Sequence, residues 1–221
     1  MSQYNIIAST TESTVVAEYT PGTRRSDGYQ SEAQLEKEFI RLLCEIGYTY
    51  LPIHTEADLV ANLRTQLEKL NNYQFTDGEW ERFFQQSIAN ANEGIKEKTR
   101  RIQDGDTAQA FKRDTGESKN IRLLDKKCIH NNTLQVINQY TVSQAEGAAH
   151  DNRYDVTILV NGLPLVHVEL KRRGVAIREA FNQINRYKRD SFWAGSGLFD
   201  YVQIFVISNG TNTKYYSNTT R

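Results

Sequence analysis

The sequence predicts an α/β fold with a mainly helical first part, residues 31–105, followed by a mixed central sheet flanked by helices, residues 106–221. Apolar residues recur at helical spacing in the first part, whereas short β-prone runs alternate with polar turns in the second. The chain has 221 residues, 38% of them hydrophobic, which is enough for a single domain with a substantial core.

The first helix is predicted to begin after Ser31, which forms a capping box with Gln34, and to end at Gly47. The polar arm before it, residues 1–30, contains β-prone residues around Val15 that we expect to pair as an edge strand.

Further helical segments follow in the first part. One is predicted from Glu56 to Leu70, and another begins at Asp77, with Thr76 and Glu79 as its caps. The charged run over residues 94–101 is expected to be an exposed helix or loop.

Strands dominate the chain after Gly105. The strongest signal is YDVTILVNGLPLVHVELK, residues 154–171, in which Asn161-Gly162 predicts a hairpin turn between two apolar strands. A helix over residues 176–190 follows, with Phe181 on its inner face. Other strands are predicted at residues 108–113, 121–124, 134–142, 201–207 and 214–217.

Charged residues stand at the ends of the hairpin strands. Asp155 opens the first strand, and Glu169 and Lys171 close the second, so two carboxylates and an ammonium are expected to converge. Carboxylates are the hard oxygen ligands that Mg²⁺ prefers, and Lys171, two residues from Glu169, shares its face of the strand. The spacing D-x13-E-x-K is a nuclease-type pattern.

The register of the hairpin decides whether these groups can meet. A strict two-residue turn would pair Asp155 with Val168 and would leave Asp155 and Glu169 on opposite faces. We therefore predict a three-residue loop or a bulge, which Gly162 and Pro164 make easier.

Two polar segments fit the same loose template. Asp114 with the run 125–127, and Asp106 with the run 117–119, also combine an acid with an acid and a lysine. Asp155 and Glu169 differ because they lie in apolar strands, where a charge needs a partner. A solvated ion pair at the strand ends is the alternative that the residues alone leave open.

The distribution of charge favours nucleic acid more than its total does. Formal net charge is zero, yet residues 171–189 carry seven basic residues against one acid, Glu179. Cys44 and Cys128 lack zinc-site spacing and are expected to be free thiols in a reducing cytoplasm. No apolar run of membrane-spanning length and no P-loop motif occur in the sequence, so neither a membrane nor a bound nucleotide is predicted.

One long segment resembles a known family. NRYDVTILVNGLPLVHVELKRRGVAIREAFNQINRY is similar to the N-terminal endonuclease domain of the restriction and translocation subunit of type I restriction enzymes, in the PD-(D/E)xK superfamily. The similarity extends to YQSEAQLEKEFIRLL and FVISNGTNTKYYSNTT. It implies a restriction-endonuclease type of fold, Mg²⁺ held by Asp155, Glu169 and the Leu170 carbonyl, and Lys171 as the catalytic cation. Tyr154 stands where the superfamily motif has proline.

The resemblance also implies roles outside this motif. Gln183 and Tyr187, four apart on one helix side, match a Q-x-x-x-Y pair that positions DNA. The alternative is a buried Tyr187 with a satisfied hydroxyl beside an exposed Gln183.

Four more residues are candidates near the site. Glu36 could be an additional metal ligand, although a solvated helix face is the simpler expectation. His150, in the loop before the hairpin, could steer phosphate or be merely solvated. Arg172 and Arg173 are of the type that contacts phosphate.

The implied function is hydrolysis of double-stranded DNA without local sequence specificity. In the family, an ATP-driven motor feeds DNA to the nuclease, and methyltransferase and specificity subunits choose the site. We expect this chain to be the nuclease part alone, with ATP bound only by motor domains outside it. Two alternatives stay open: a structure-specific nuclease of the same fold, and a non-catalytic DNA-binding or docking module.

Overall fold

The computed structural model describes residues 3–9, 15–20, 31–105, 107–143, 147–149 and 151–218. The chain divides into two compact units, Met1–Gln30 and Ser31–Arg221. In the first unit, strand β1 (Gln3–Ser9) pairs antiparallel with strand β2 (Val15–Thr20). The β-prone stretch around Val15 is thus a strand, but its partner belongs to the same arm and the two form a separate small sheet.

Five α-helices occur among the described residues of the second unit. They are α1 (Glu32–Glu45), α2 (Glu56–Asn71), α3 (Asp77–Phe83), α4 (Ile95–Gln103) and α5 (Ile177–Asp190). One π-helical turn, Phe84–Ile88, continues α3. The predicted capping boxes, Ser31 with Gln34 and Thr76 with Glu79, are both confirmed. Helix α1 gives way to a turn at Gly47, whose φ is +104°.

The strands form one larger mixed sheet and one separate hairpin. They are β3 (Thr49–Tyr50), β4 (Ala108–Lys112), β5 (Ser118–Arg122), β6 (Leu134–Val142), β7 (Asn152–Val160), β8 (Leu163–Leu170), β9 (Ile204–Ser208) and β10 (Thr213–Ser217). Six of these described strands make the sheet, in the order β10-β9-β8-β7-β6-β3, while β4 pairs with β5. The pairs β8/β9 and β3/β6 are parallel, and the other pairs of the sheet are antiparallel. The predicted strand over residues 201–207 begins later, because Leu198–Tyr201 is a short 3₁₀ helix.

Helices cover both faces of this sheet. Adjacent residues of β6, Val136 and Ile137, belong to different apolar clusters, as expected for side chains that alternate across a sheet. The cluster on the α1 face contains Leu43, Val136, Val156, Val168 and Leu170. The larger cluster on the other face includes Leu59, Leu63 and Leu67 of α2 and Ala180, Ile184 and Tyr187 of α5. The predicted mixed α/β architecture is confirmed.

Two burial predictions are wrong in part. The charged run over residues 94–101 is mostly helix α4 but is not simply exposed, since Lys98 is buried and its Nζ donates to the carbonyl of Gly197 at 2.8 Å. Its charge lies 3.4 Å from Asp200 Oδ2, which satisfies the buried ammonium. Phe181 is 39% exposed, because the buried stripe of α5 runs through Ala180.

None of the helices that the structure describes is both long enough and apolar enough to cross a bilayer.

Candidate active site

The β7–β8 hairpin contains the predicted bulge. Asn161 and Gly162 form a two-residue turn with φ values of +51° and +83°, and Leu159 pairs with Pro164. The next pair is Ile158 with Val166, so Leu165 is an extra residue on β8. The prediction that a strict register would be broken is confirmed.

The bulge brings the acidic residues close together at the end of the ladder. Val156 with Val168 is the last pair of β7 with β8, and Asp155 and Glu169 are the residues that adjoin this pair. The side chain of Asp155 crosses to β8, where its Oδ2 accepts a hydrogen bond of 2.9 Å from the Leu170 N–H. Sequence reasoning therefore identified a pair that the fold brings together.

The two carboxylates are close enough to perturb each other. Burial, and after it repulsion by Glu169, raises the pKa of Asp155 to about 7. The Leu170 N–H and the charge of Lys171 oppose the increase. Because this pKa is close to neutral, a cation bound nearby would favour the ionised form of Asp155 at neutral pH.

Glu169 is a fully buried carboxylate with one oxygen paired. Its Oε1 lies 3.1 Å from Lys171 Nζ, whose side chain is 13% exposed, and its Oε2 has no hydrogen-bond donor within the described part of the chain. The backbone N–H of Lys171 donates to Ser208 at the end of β9, at 2.8 Å. A solvated ion pair does not describe this arrangement, because Glu169 has no exposed surface.

Glu36 reaches the same region from α1. It is 9% exposed and accepts hydrogen bonds from the side-chain amides of Asn138 and Gln139, so the expectation of a solvated helix face is wrong. Its charge also contributes to the raised pKa of Asp155.

Gln183 and Tyr187 are joined by a hydrogen bond. Tyr187 is buried, and its hydroxyl donates to the carbonyl of Arg153 at 2.9 Å and accepts from the Gln183 amide. Burial and the charge of Glu169 raise the pKa of Tyr187 to about 12. The pair is thus anchored to strand β7 near the carboxylates, with Gln183 half-buried.

Comparison with known proteins decides the family. Residues 29–221 match the family described as Type I restriction enzyme R protein N terminus. The chain belongs to this family.

The relatives of this chain differ in length. It is 48% identical over 216 residues to the type I restriction enzyme EcoprrI endonuclease subunit of Escherichia coli. This match covers 97% of this chain and 67% of the relative. The chain is 42% identical over 195 residues to the SsaAORF53P endonuclease subunit of Staphylococcus saprophyticus, covering 86% of this chain and 20% of the relative. The chain therefore spans about two thirds of one relative and a fifth of the other.

Of the remaining candidates, Arg172 and Arg173 lie at the edge of the site. His150 lies outside the described residues. Arg172 and Arg173 are exposed directly after Lys171, and the Arg172 N–H donates to Glu32 of α1 at 3.2 Å. Their guanidinium groups extend the positive charge of Lys171 along the surface.

The template matches elsewhere in the chain are structural where they can be seen. Asp114 pairs with Arg82 at 2.5 Å, and Asp125 accepts hydrogen bonds from backbone N–H groups, including that of Cys128 at 2.9 Å. Asp106 lies outside the described residues. Asp125 organises a turn and Asp114 binds the side chains of Arg82 and Thr76, which accounts for these two carboxylates without a metal.

The R-protein site offers a small set of metal ligands. No cluster of three or more His, Cys, Asp and Glu side chains suited to a metal occurs among the residues described. Two carboxylates and the Leu170 carbonyl remain, and this oxygen set suits Mg²⁺, which usually retains several waters. The mutual repulsion of Asp155 and Glu169 and the unpaired Glu169 Oε2 are the features that a divalent cation would relieve.

Sequence reasoning missed His167. It is fully buried on β8, two residues before Glu169, with its Nε2 3.5 Å from Glu169 Oε2. The available signal was a polar ring inside an apolar strand at the spacing that places it on the face of Glu169.

Proposed function

We propose that this chain is the Mg²⁺-dependent nuclease domain of a type I restriction enzyme and hydrolyses phosphodiester bonds of double-stranded DNA. The observation that carries the proposal is that two carboxylates, the partly buried Asp155 and the fully buried Glu169, lie close enough to repel each other just beyond the last pair of the bulged ladder, with Lys171 beside Glu169. Two buried or partly buried carboxylates that repel each other lower the stability of the folded state. Such perturbed groups cluster at functional sites, which favours a functional role for this pair.

Each residue of this site has a distinct part. Asp155, Glu169 and the Leu170 carbonyl would hold the metal, which when bound lowers the pKa of a water and neutralises charge on the reacting phosphate. Lys171, held beside Glu169, would orient the attacking water and stabilise the negative charge that develops.

DNA would be held by groups on α5 and the loop before it. Arg172 and Arg173 would contact phosphates, which positions DNA without reading its sequence. Tyr187 fixes the amide of Gln183 by a hydrogen bond, and Gln183 would in turn position the DNA strand near Asp155.

The choice of cleavage site and the supply of DNA would come from outside this chain. The relatives are named endonuclease subunits of type I restriction enzymes, and one is about five times as long as the matched region. We propose that ATP-driven motor domains deliver DNA and that methyltransferase and specificity subunits select the site. The chain alone would be a weak nuclease, since non-specific phosphate contacts give dissociation constants of about 10⁻⁴ to 10⁻⁶ M.

Plasmid cleavage tests this proposal. We expect slow, sequence-indifferent cutting by the chain with Mg²⁺, much faster cutting in a complete complex supplied with ATP, and no cutting by Glu169→Gln in either. Asp114→Asn is the matched control, because Asp114 belongs to a similar motif but pairs with Arg82, and it should cut normally.

Two results would contradict the proposal. Preferential cutting of branched DNA would indicate a structure-specific nuclease. Wild-type cleavage by Glu169→Gln would show that the acidic pair is structural, as in a docking module.

A further inference from the structure

His167 lies beside Glu169 in a box of aromatic rings. Because residues two apart on a strand share a face, both side chains project from the same side of β8, and the Nε2 of His167 lies 3.5 Å from Glu169 Oε2. Four rings surround the imidazole at centroid distances between 5.4 and 6.5 Å, those of Tyr154, Tyr187, Phe192 and Phe205.

The two facing atoms have no other partner. Neither His167 Nε2 nor Glu169 Oε2 makes a hydrogen bond to any residue that the structure describes, and both side chains are fully buried. Lys171 occupies the other oxygen, Oε1. A buried carboxylate oxygen without a donor is unfavourable, so the imidazole is the group that can satisfy Oε2.

The second ring nitrogen indicates which one carries the proton. Thr157 lies opposite His167 in the β7–β8 ladder, and its Oγ1 is 3.5 Å from Nδ1. If Nδ1 carried the proton of a neutral ring, the lone pair of Nε2 would face the carboxylate and repel it. The Thr157 hydroxyl can instead donate to Nδ1, which leaves the Nε2 proton directed at Glu169.

We propose that His167 is a positioning residue that fixes the rotation of the Glu169 carboxylate for a divalent cation. This proposal rests on the proposed function. It gives the Glu169 carboxylate two positioning groups, Lys171 at Oε1 and His167 at Oε2. A carboxylate has about four lone-pair sites, so each oxygen keeps one for a cation. With Lys171 3.1 Å from one oxygen and the imidazole 3.5 Å from the other, the rotation of the carboxylate is restricted, so it would lose less freedom when it binds a cation.

Binding of Mn²⁺ to the 221-residue chain, followed by electron paramagnetic resonance, tests the proposal without relying on cleavage. We expect His167→Phe to weaken binding about 10- to 100-fold, as for loss of other groups that orient metal ligands. The phenyl ring suits the aromatic box, so the variant should still fold, with a lower thermal midpoint without metal because the buried Oε2 loses its donor. His167→Gln keeps an N–H donor and should recover much of the affinity.

Two controls separate packing from hydrogen bonding. Phe192→Leu disturbs the same box without removing a donor and should leave Mn²⁺ affinity within about threefold, well under the second-sphere effect. Thr157→Val should shift the His167 tautomer in long-range ¹H–¹⁵N spectra and weaken binding less than His167→Phe. If His167→Phe does not fold, the Gln and Thr157→Val variants carry the test.

The outcomes also distinguish this proposal from the proposed function. Unchanged Mn²⁺ affinity in His167→Phe, or in Thr157→Val with an altered tautomer, overturns the role of His167 if Glu169→Gln still abolishes binding. Unchanged affinity in Glu169→Gln itself would overturn the metal site and the role of His167 with it.

Discussion

Asp155 accepts a hydrogen bond of 2.9 Å from the N–H of Leu170, the residue that follows Glu169, so its carboxylate is attached to the strand that carries the second acid. This contact exists because Leu165 is bulged out of the ladder and moves the register of β8 by one residue. The site therefore depends on the turn and the bulge as much as on its charged residues.

Gly162→Ala should destabilise the hairpin strongly. The residue has a φ of +83°, and an added Cβ would lie 2.6 Å from the Cα of Leu63 on α2. We expect a loss well above the roughly 1–2 kcal/mol typical of a left-handed conformation alone, measured by urea unfolding.

Gly116→Ala provides the matched control. Its φ is +87°, but no atom lies within 4 Å of the added Cβ, so only the backbone cost of about 1–2 kcal/mol should appear. Equal losses at both glycines would show that close packing against α2 does not hold the turn.

The fold was predictable where local chemistry determines it. The capping boxes at Ser31 and Thr76 and the need for a bulge near Pro164 follow from residue types and from the two-residue period of a strand. The burial of Lys98 was not predictable, because its partners, Gly197 and Asp200, are about 100 residues away along the chain. A charged helix pattern alone indicates solvent.

Without metal, Asp155 should lower the free energy of unfolding as the pH rises, whereas a carboxyl group with a lowered pKa raises it. Its pKa is raised to about 7 by burial and by Glu169, so the folded state binds the proton more tightly than the unfolded state. The stabilisation is fully present below about pH 4, near the usual pKa of the group, and is lost as the pH rises through about 7. Asp155→Asn should therefore flatten this fall in unfolding free energy between about pH 4 and 7.

Asp114→Asn is the control for this pH profile. Hydrogen bonds from Arg82 and Thr76 lower the pKa of Asp114, so its stabilisation is lost as the pH falls. An Asp155→Asn profile parallel to that of the wild type would contradict the raised pKa.

Lys171 and Glu169 should be coupled in stability as well as in cleavage. Lys171→Met leaves the fully buried Glu169 charge without its cation, and we expect a loss of roughly 3 kcal/mol, at the lower end for broken buried pairs. The double variant with Glu169→Gln should recover most of this loss, as measured in a double-mutant cycle of urea unfolding.

The exposed pair Arg113 and Glu117 sets the reference for that cycle. Its atoms are 2.8 Å apart, but Glu117 is 70% exposed, so its coupling should stay below about 1 kcal/mol. A Lys171–Glu169 coupling no larger than this would show that burial does not strengthen this ion pair.

Tyr187→Phe should reduce cleavage by a complete enzyme moderately. It removes the hydroxyl that holds Gln183 and satisfies the Arg153 carbonyl, and we expect a loss of about 10-fold, smaller than the ~10²- to 10³-fold typical of a lost electrostatic group. Gln183→Ala should give a similar reduction in the same assay.

Tyr216→Phe is the matched control for Tyr187→Phe. The Tyr216 hydroxyl is buried but makes no hydrogen bond to the described residues, so its removal should leave the rate unchanged. A Tyr187→Phe rate equal to that of Tyr216→Phe would indicate that the tyrosine only fills space.

The acidic pair and lysine of the site were predictable from charges set in apolar strands, although Asp155, expected to open its strand, is the fourth residue of β7; their surroundings were not predictable. Glu36 was expected in solvent because helix α1 is acidic on several faces, and only the distant amides of Asn138 and Gln139 draw it into the protein. His167 was overlooked because a sequence pattern does not show which ring faces a carboxylate.

A crystal of the chain soaked in Mn²⁺ would show whether Asp155 and Glu169 hold one metal ion together. We predict an anomalous scattering peak at about 2.1 Å from carboxylate oxygens of both residues, the distance range of a small divalent cation. A peak bound elsewhere, or the absence of a peak between these two residues at saturating Mn²⁺ and pH 8, would contradict it.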